Sequence, residues 1–239
     1  NHVKELSPEL EEILKSIDCE DYNQAESKAC TKNLFEKVSA GSLLGEVGAL
    51  QGNFDFGLID LAEPLDYIHP ERYPTRSRYV HCAYEYYQKD MQETFFALLT
   101  REDSNKCGVI EQDLAGTLQG NWFHEDAEKE YVIDWTQYLA FVKDNSYPDI
   151  SVISIGGIIT DATKFEFSAQ DSGTMNRAFK DVTVDEQIYC YEDEDALGHG
   201  KDEGKILVEM LDEEKIQIEW QSGKCDESES FKNSKIYER

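Results

Sequence analysis

From Gly108 onward the chain is cut into short apolar segments by Gly, Asn, Asp and Pro, and this punctuation limits the fold more than any other feature. Phe165 and Phe167 alternate with polar neighbours, as do Ile216, Ile218 and Trp220; Asp149 opens a run through Ile150, Val152, Ile153 and Ile155. Alternation places every second side chain on one face of a strand, and segments this short cannot sustain a helical stripe. Strands are predicted at 109–124, 137–143, 150–159, 163–168, 177–184, 187–192, 205–211 and 215–220. Strands joined by short turns pair antiparallel, because parallel neighbours need crossovers of about a dozen residues or more. Residues 109–239 are therefore expected to form an antiparallel β-sandwich or small barrel, and the chain as a whole to be mainly β.

Upstream the signals are sparser. Ser7-Pro8-Glu9-Leu10-Glu11 is a helix start, with Ser at the cap, Pro at the first helical position and acids in the first turn. Leu10, Ile13, Leu14 and Ile17 follow at helical spacing. The acidic stretch from Cys19 to Cys30 reads as a loop, and strands are expected near 34–38, 43–48 and 53–60. Tyr84 to Thr100 carries apolar residues with helical period, predicting a helical connector over 81–108.

The 239 residues include 50 acidic and 23 basic side chains, a net charge of −27. Such a surface disfavours nucleic acid, whose binding needs clustered Lys and Arg. It reads as a solubilising field that would attract cationic partners or Ca²⁺. Six cysteines, at 19, 30, 82, 107, 190 and 225, form no Cys-x-x-Cys pair, so neither a zinc ribbon nor a thioredoxin motif is present. Six cysteines allow fifteen pairings; sequence-local pairing favours Cys19–Cys30, Cys82–Cys107 and Cys190–Cys225 and suits an oxidising, extracytoplasmic compartment, the alternative being six buried free thiols in a cytosolic protein. No apolar run approaches the ~20 residues of a membrane span. An anchor through residues outside this chain is compatible with that reading. Oligomeric state leaves no signature.

The run Gly45-Glu46-Val47-Gly48-Ala49-Leu50-Gln51-Gly52-Asn53-Phe54-Asp55-Phe56-Gly57 resembles a motif of lysostaphin-type (LytM-like) zinc endopeptidases, in which a glycine-rich turn leads into a strand bearing His-x-His. Asn53-Phe54-Asp55 occupies that slot. His2-Val3 resembles the family's upstream His-Leu strand, Val38-Ser39-Ala40-Gly41 its turn, and Ile68-His69-Pro70-Glu71-Arg72-Tyr73 its closing proline-tyrosine segment. The resemblance covers residues 1–75 and implies a partial peptidase-like β domain over 1–80. A catalytic zinc needs three protein ligands and one open position. Asp55 retains an oxygen ligand, but the amide of Asn53 does not titrate and no His-x-x-x-Asp precedes His2. The resemblance thus implies a degenerate, non-catalytic domain with peptidoglycan or a protein as partner. The alternative is a wall-acting metalloendopeptidase whose ligand-bearing half lies outside this chain.

Several smaller groupings bear on chemistry. Arg72, Arg76 and Arg78 cluster in an acidic chain and read either as partners of nearby carboxylates or as a small anion site. His124 and Asp144 each follow a predicted strand and would form an oriented base or a metal site if those strand ends met. In the loop 192–204, Asp193, Asp195 and Gly198 match positions 1, 3 and 6 of a calcium loop, but Leu197 and Gly204 fail positions 5 and 12. It reads as a solvated hairpin loop. Calcium there, or zinc at Asp55, are the metals these carboxylates would serve; no cofactor motif occurs. Gly120-Asn121-Trp122 resembles the Gly-x-Trp of lipocalin-like barrels, with Trp122 expected in the core. A small-molecule-binding barrel is the third functional expectation.

Overall fold

A computed structural model describes residues 3–15, 20–21, 28–29, 37, 39, 41–47, 57–226 and 228–239. The chain divides into two compact units, Asn1–Phe56 and Gly57–Arg239. The expected boundary at 80/81 is not where they part: residues 57–80 belong with the C-terminal unit, because Arg72 and its neighbours pack on it. In the N-terminal unit, Ser7 caps the helix Pro8–Leu14 by accepting from the Leu10 N–H at 3.4 Å. The strand Val3–Leu6 pairs antiparallel with Gly45–Val47.

The C-terminal unit is mainly β, as its punctuation predicts. Its strands are β1 (Gly120–His124), β2 (Tyr138–Lys143), β3 (Ile150–Ile155), β4 (Thr163–Ser168), β5 (Tyr189–Glu192), β6 (Gly204–Asp212), β7 (Lys215–Ser222) and β8 (Lys235–Glu238). They form one antiparallel sheet in the order β4-β3-β2-β1-β8-β7-β6-β5, a nearly closed barrel. Side chains fill the interior: Trp122, Phe141, Ile153, Phe165, Phe167, Tyr191, Ile206 and Ile218 are all fully buried. The indole N–H of Trp122 donates to the Leu118 carbonyl at 2.9 Å, and the Arg239 guanidinium lies 4.4 Å from the ring centroid. Gly120 is required here. Its φ is +128°, and a Cβ would meet the Asp113 backbone at 2.8 Å.

Three sequence expectations need correction. Residues 177–184 are no strand: they carry a 3₁₀ turn, Phe179–Asp181, whose Phe179 and Val182 plug the core. Their apolar content answers to burial rather than to alternation. Strand β8 has no counterpart among the predicted strands, since four residues of mixed character give no periodic signal. Tyr84–Thr100 forms two pieces, a 3₁₀ turn Ala83–Tyr86 and a helix Lys89–Phe96, because Gln88 between them is extended (ψ 150°). The cystines Cys82–Cys107 and Cys190–Cys225 form as expected. Cys19 and Cys30 lie outside the described residues.

The barrel closes through side chains and two main-chain bonds to the Glu166 carbonyl. Between β4 and β5, the Asp193 carboxylate accepts from the N–H groups of Glu166 (2.8 Å), Asp195 (3.0 Å) and Asp202 (2.7 Å). Glu166 accepts through its carbonyl from Glu194 N–H at 3.0 Å, and its carboxylate meets His199 Nδ1 at 2.6 Å. Asn176, at φ 48°, accepts from the Glu192 N–H at 2.8 Å. The loop 192–204 joins β5 to β6 as a hairpin and most of it faces solvent, but Asp193 turns inward. Asp193 is 2 % exposed, and its oxygens are committed to the backbone.

Candidate functional site

The principal cleft lies on the outer face of β1–β3, and the register explains its shape. Trp122, Leu139, Phe141, Ile153 and Ile155 point inward, so Asn121, Phe123, Tyr138, Ala140 and Ser154 point out. Pairing aligns Asn121 with Ala140 and Ala140 with Ser154, and Phe123 with Tyr138. A row of small side chains thus runs beside a row of aromatic ones. Gly156 extends the small row. Its Cβ would lie 1.9 Å from the Trp135 carbonyl oxygen, so only glycine lets that loop settle against the strand.

Two segments wall the cleft. One is Arg72–Ser77, tied to the other by the Tyr131 N–H donating to the Glu71 carbonyl at 3.1 Å. The second, 131–138, brings Tyr131, Trp135 and Tyr138 to the rim, with the Tyr138 hydroxyl donating to the Val132 carbonyl. Together they enclose about 400 Å³. The rings interlock edge-on, Tyr73 with Phe123 at 5.7 Å, Phe123 with Tyr138 at 5.4 Å and Trp135 with Tyr138 at 5.6 Å. Trp135 remains 67 % exposed at the rim. Burial, then Asp113, pushes the Tyr73 phenol well up, so it stays a neutral donor to Asp113 at 3.3 Å.

Arg72 lines this cleft. It is 3 % exposed, with its guanidinium 4.3 Å from the Phe123 ring centroid, and none of its three nitrogens has a hydrogen-bond partner among the described residues. Burial pulls its pKa down, opposed by Glu238, Tyr73, Glu71 and Tyr138. The expected pairing of the arginine cluster with carboxylates is corrected here: Arg72, Arg76 and Arg78 make no salt bridge among the described residues. Arg78 Nη2 donates to Thr75 Oγ1 at 3.2 Å, and Arg76 is exposed.

The other sequence-selected residues lie elsewhere. His124 and Asp144 do not meet, because successive antiparallel strands finish at opposite ends of the sheet. His124 sits 3.7 Å from Asp126, while Asp144 caps its own turn by accepting from Ser146 and Tyr147 N–H groups at 2.8 Å each. Asp195 accepts from the Gly200 N–H at 2.8 Å. Asn53 and Asp55 lie outside the described residues. Of the described histidines, His69 contacts Glu71 and Glu214, His81 the Glu63 carbonyl, and His199 Glu166. The sequence reading singled out Arg72 but missed the aromatic wall. Its available signal was the apolar run Tyr131-Val132-Ile133-Asp134-Trp135, which falls in no strand.

Behind Arg72 lies a hollow of about 430 Å³ with charges of both signs. Glu238 accepts there from Lys129 Nζ at 2.6 Å and Lys215 Nζ at 2.9 Å, and these two bonds hold its carboxyl at about 2, from an ordinary 4.5. A carboxyl depressed in the folded state stabilises above its unfolded pKa, and that contribution is lost as pH falls through the folded one. Because Lys129 is mostly exposed, screening leaves about 1 kcal/mol. Glu238→Gln should therefore be less stable than the parent by that amount at pH 6, with the gap closing between pH 4.5 and 2. Denaturant melts across that range check it; a gap independent of pH would contradict the assignment.

Searched against family models, curated proteins and solved structures, the chain matches none.

Proposed function

We propose that this is a non-catalytic extracytoplasmic binding protein, and that the outer-face cleft of the barrel is where a ligand is held. One observation carries the reading: an aromatic-walled cleft of about 400 Å³, with a buried cation in its lining and an exposed indole at its rim. Concave, mostly apolar sites with a few placed polar groups are the usual form of ligand pockets. The barrel interior is no rival, because its side chains leave at most 5 % exposure in the core. The two cystines support an oxidising compartment, and among the described residues no helix is long and apolar enough to cross a membrane. For residues 1–80 the resemblance to lysostaphin-type peptidases supports a wall-facing role, with peptidoglycan or an envelope protein as partner.

The test uses a neutral aromatic dye, N-phenylnaphthylamine, whose fluorescence rises in apolar surroundings. Wild type should bind one dye per chain, and Ala140→Trp, which fills the small-residue row without touching the core, should abolish binding while melting normally. Dye binding unchanged in that variant would remove the cleft from consideration.

A further inference from the structure

We infer that the ligand of this cleft is a monoanion: one acid group beside a flat, largely apolar body. This rests on the proposed binding role and adds to it the chemistry of what is bound.

The contrast among the buried arginines carries the inference. Arg101, 8 % exposed, grips Asp103 with two nitrogens at 2.7 Å each and the Asn145 carbonyl with a third bond at 2.9 Å. Arg239, 5 % exposed, donates to the carbonyls of Leu114, Thr117 and Gln119 at 3.2, 2.6 and 2.7 Å. Only Arg239 Nε among these nitrogens lacks a partner within the described residues, so both guanidinium groups are each anchored by three bonds. Arg72 is buried more deeply than either, yet Nε, Nη1 and Nη2 all lack partners among the described residues. A buried donor without a partner is expensive, and more so when charged.

The nearest acids are engaged elsewhere. Glu238 is held by Lys129 and Lys215, and Glu71 by His69 at 3.2 Å. They act on Arg72 through the field, without an ion pair to it among the described residues. What remains is a positive charge with no hydrogen-bonded counter-ion among the described residues, in the lining of an apolar cleft where the low dielectric magnifies its pull on an anion. Pairing with an acid group would give those nitrogens the partners they lack.

Valence follows from the surroundings. One guanidinium neutralises one charge, and a chain of net charge −27 repels anything more negative. The body of the ligand follows from the walls: Tyr73, Tyr138 and Trp135 offer ring faces and edges suited to a flat group. Guanidinium and aromatic wall together select an amphipathic acid over a purely apolar molecule or a polyanion.

The experiment compares two dyes sharing one ring system, anilinonaphthalene sulfonate and neutral N-phenylnaphthylamine, on the whole chain. Wild type should bind the sulfonate at least about tenfold tighter, although the protein's overall charge opposes it. Arg72→Met should bring the ratio of the two affinities, measured in the same variant, from about tenfold to about one, since it removes the charge but keeps much of the bulk. Arg72→Gln supplies the same comparison if the Met variant does not fold. A neutral dye bound and blocked by Ala140→Trp, with no sulfonate preference in wild type, overturns the monoanion inference and leaves the cleft standing. A preference that survives Arg72→Met overturns it too. Failure of wild type to bind either dye overturns both readings.

Discussion

Asp193→Ala is expected to destabilise the barrel by about 4 kcal/mol, because it strands three backbone donors in a buried seam at roughly 1–3 kcal/mol each, less what entering water recovers. For a unit of this size that is a fall in melting temperature on the order of 10 °C. The carboxylate is 2 % exposed and accepts from Glu166, Asp195 and Asp202, so it joins β4 to the start of the following loop and to its far end. Asp193→Asn should recover only part of the loss, since its amide would present a donor to at least one of those donors. Exposed Glu203→Gln in the same loop serves as the control and should shift stability by no more than about 0.5 kcal/mol. Thermal melts of the three variants check this. An Asp193→Ala melting point within a degree or two of the control would mean the seam does not depend on the carboxylate.

Trp122→Ala should be comparably severe, about 4 kcal/mol or more, the usual range for deleting a fully buried large aromatic. The ring is fully buried among core residues from all around the barrel, and its N–H bond to Leu118 fixes the segment entering β1. The substitution also removes the face on which the Arg239 guanidinium rests. Trp122→Phe should retain much of the packing and lose the hydrogen bond, at about 1–2 kcal/mol. Urea unfolding followed by circular dichroism measures both, with an unchanged m-value showing that the loss is one of stability alone. A loss below about 1 kcal/mol for the Ala variant would contradict a single cooperative core.

How much was legible in the sequence depends on how local the signal is. The turns and alternation around Ile150–Ile155, Thr163–Ser168 and Lys215–Ser222 are properties of a few consecutive residues, and those strands lie within a few residues of where the pattern puts them. Ser7-Pro8 marks its helix start for the same reason. Strand β8 and the Phe179 plug were missed because each is defined by what it meets across the barrel. The candidate site shows the same division. Arg72 stood out as a cation in an acidic chain, but its lack of partners is a property of three dimensions. The expected meeting of His124 and Asp144 failed on strand direction alone, and composition could not say which carboxylate of the solvated acidic loop turns inward. Asn53 and Asp55 lie outside the described residues, so the peptidase resemblance stands on its motif.

The seam between β4 and β5 gives the barrel a preferred place to come apart. Around the rest of the sheet, strands are joined by ladders of main-chain bonds that must break together. Here two main-chain bonds to the Glu166 carbonyl and a few side-chain contacts centred on one aspartate stand in for a ladder. Parting them bares the edge of β4, whose released Glu166 and Ser168 amides are a template for another copy of the chain, while β5 keeps its bonds to residues 174–176. The surplus of negative charge, distant in origin from the seam, then acts as a safeguard. Two opened barrels must approach edge to edge against their mutual repulsion, which weakens as salt is added. Loss of that buried carboxylate is therefore expected to promote association most at high ionic strength.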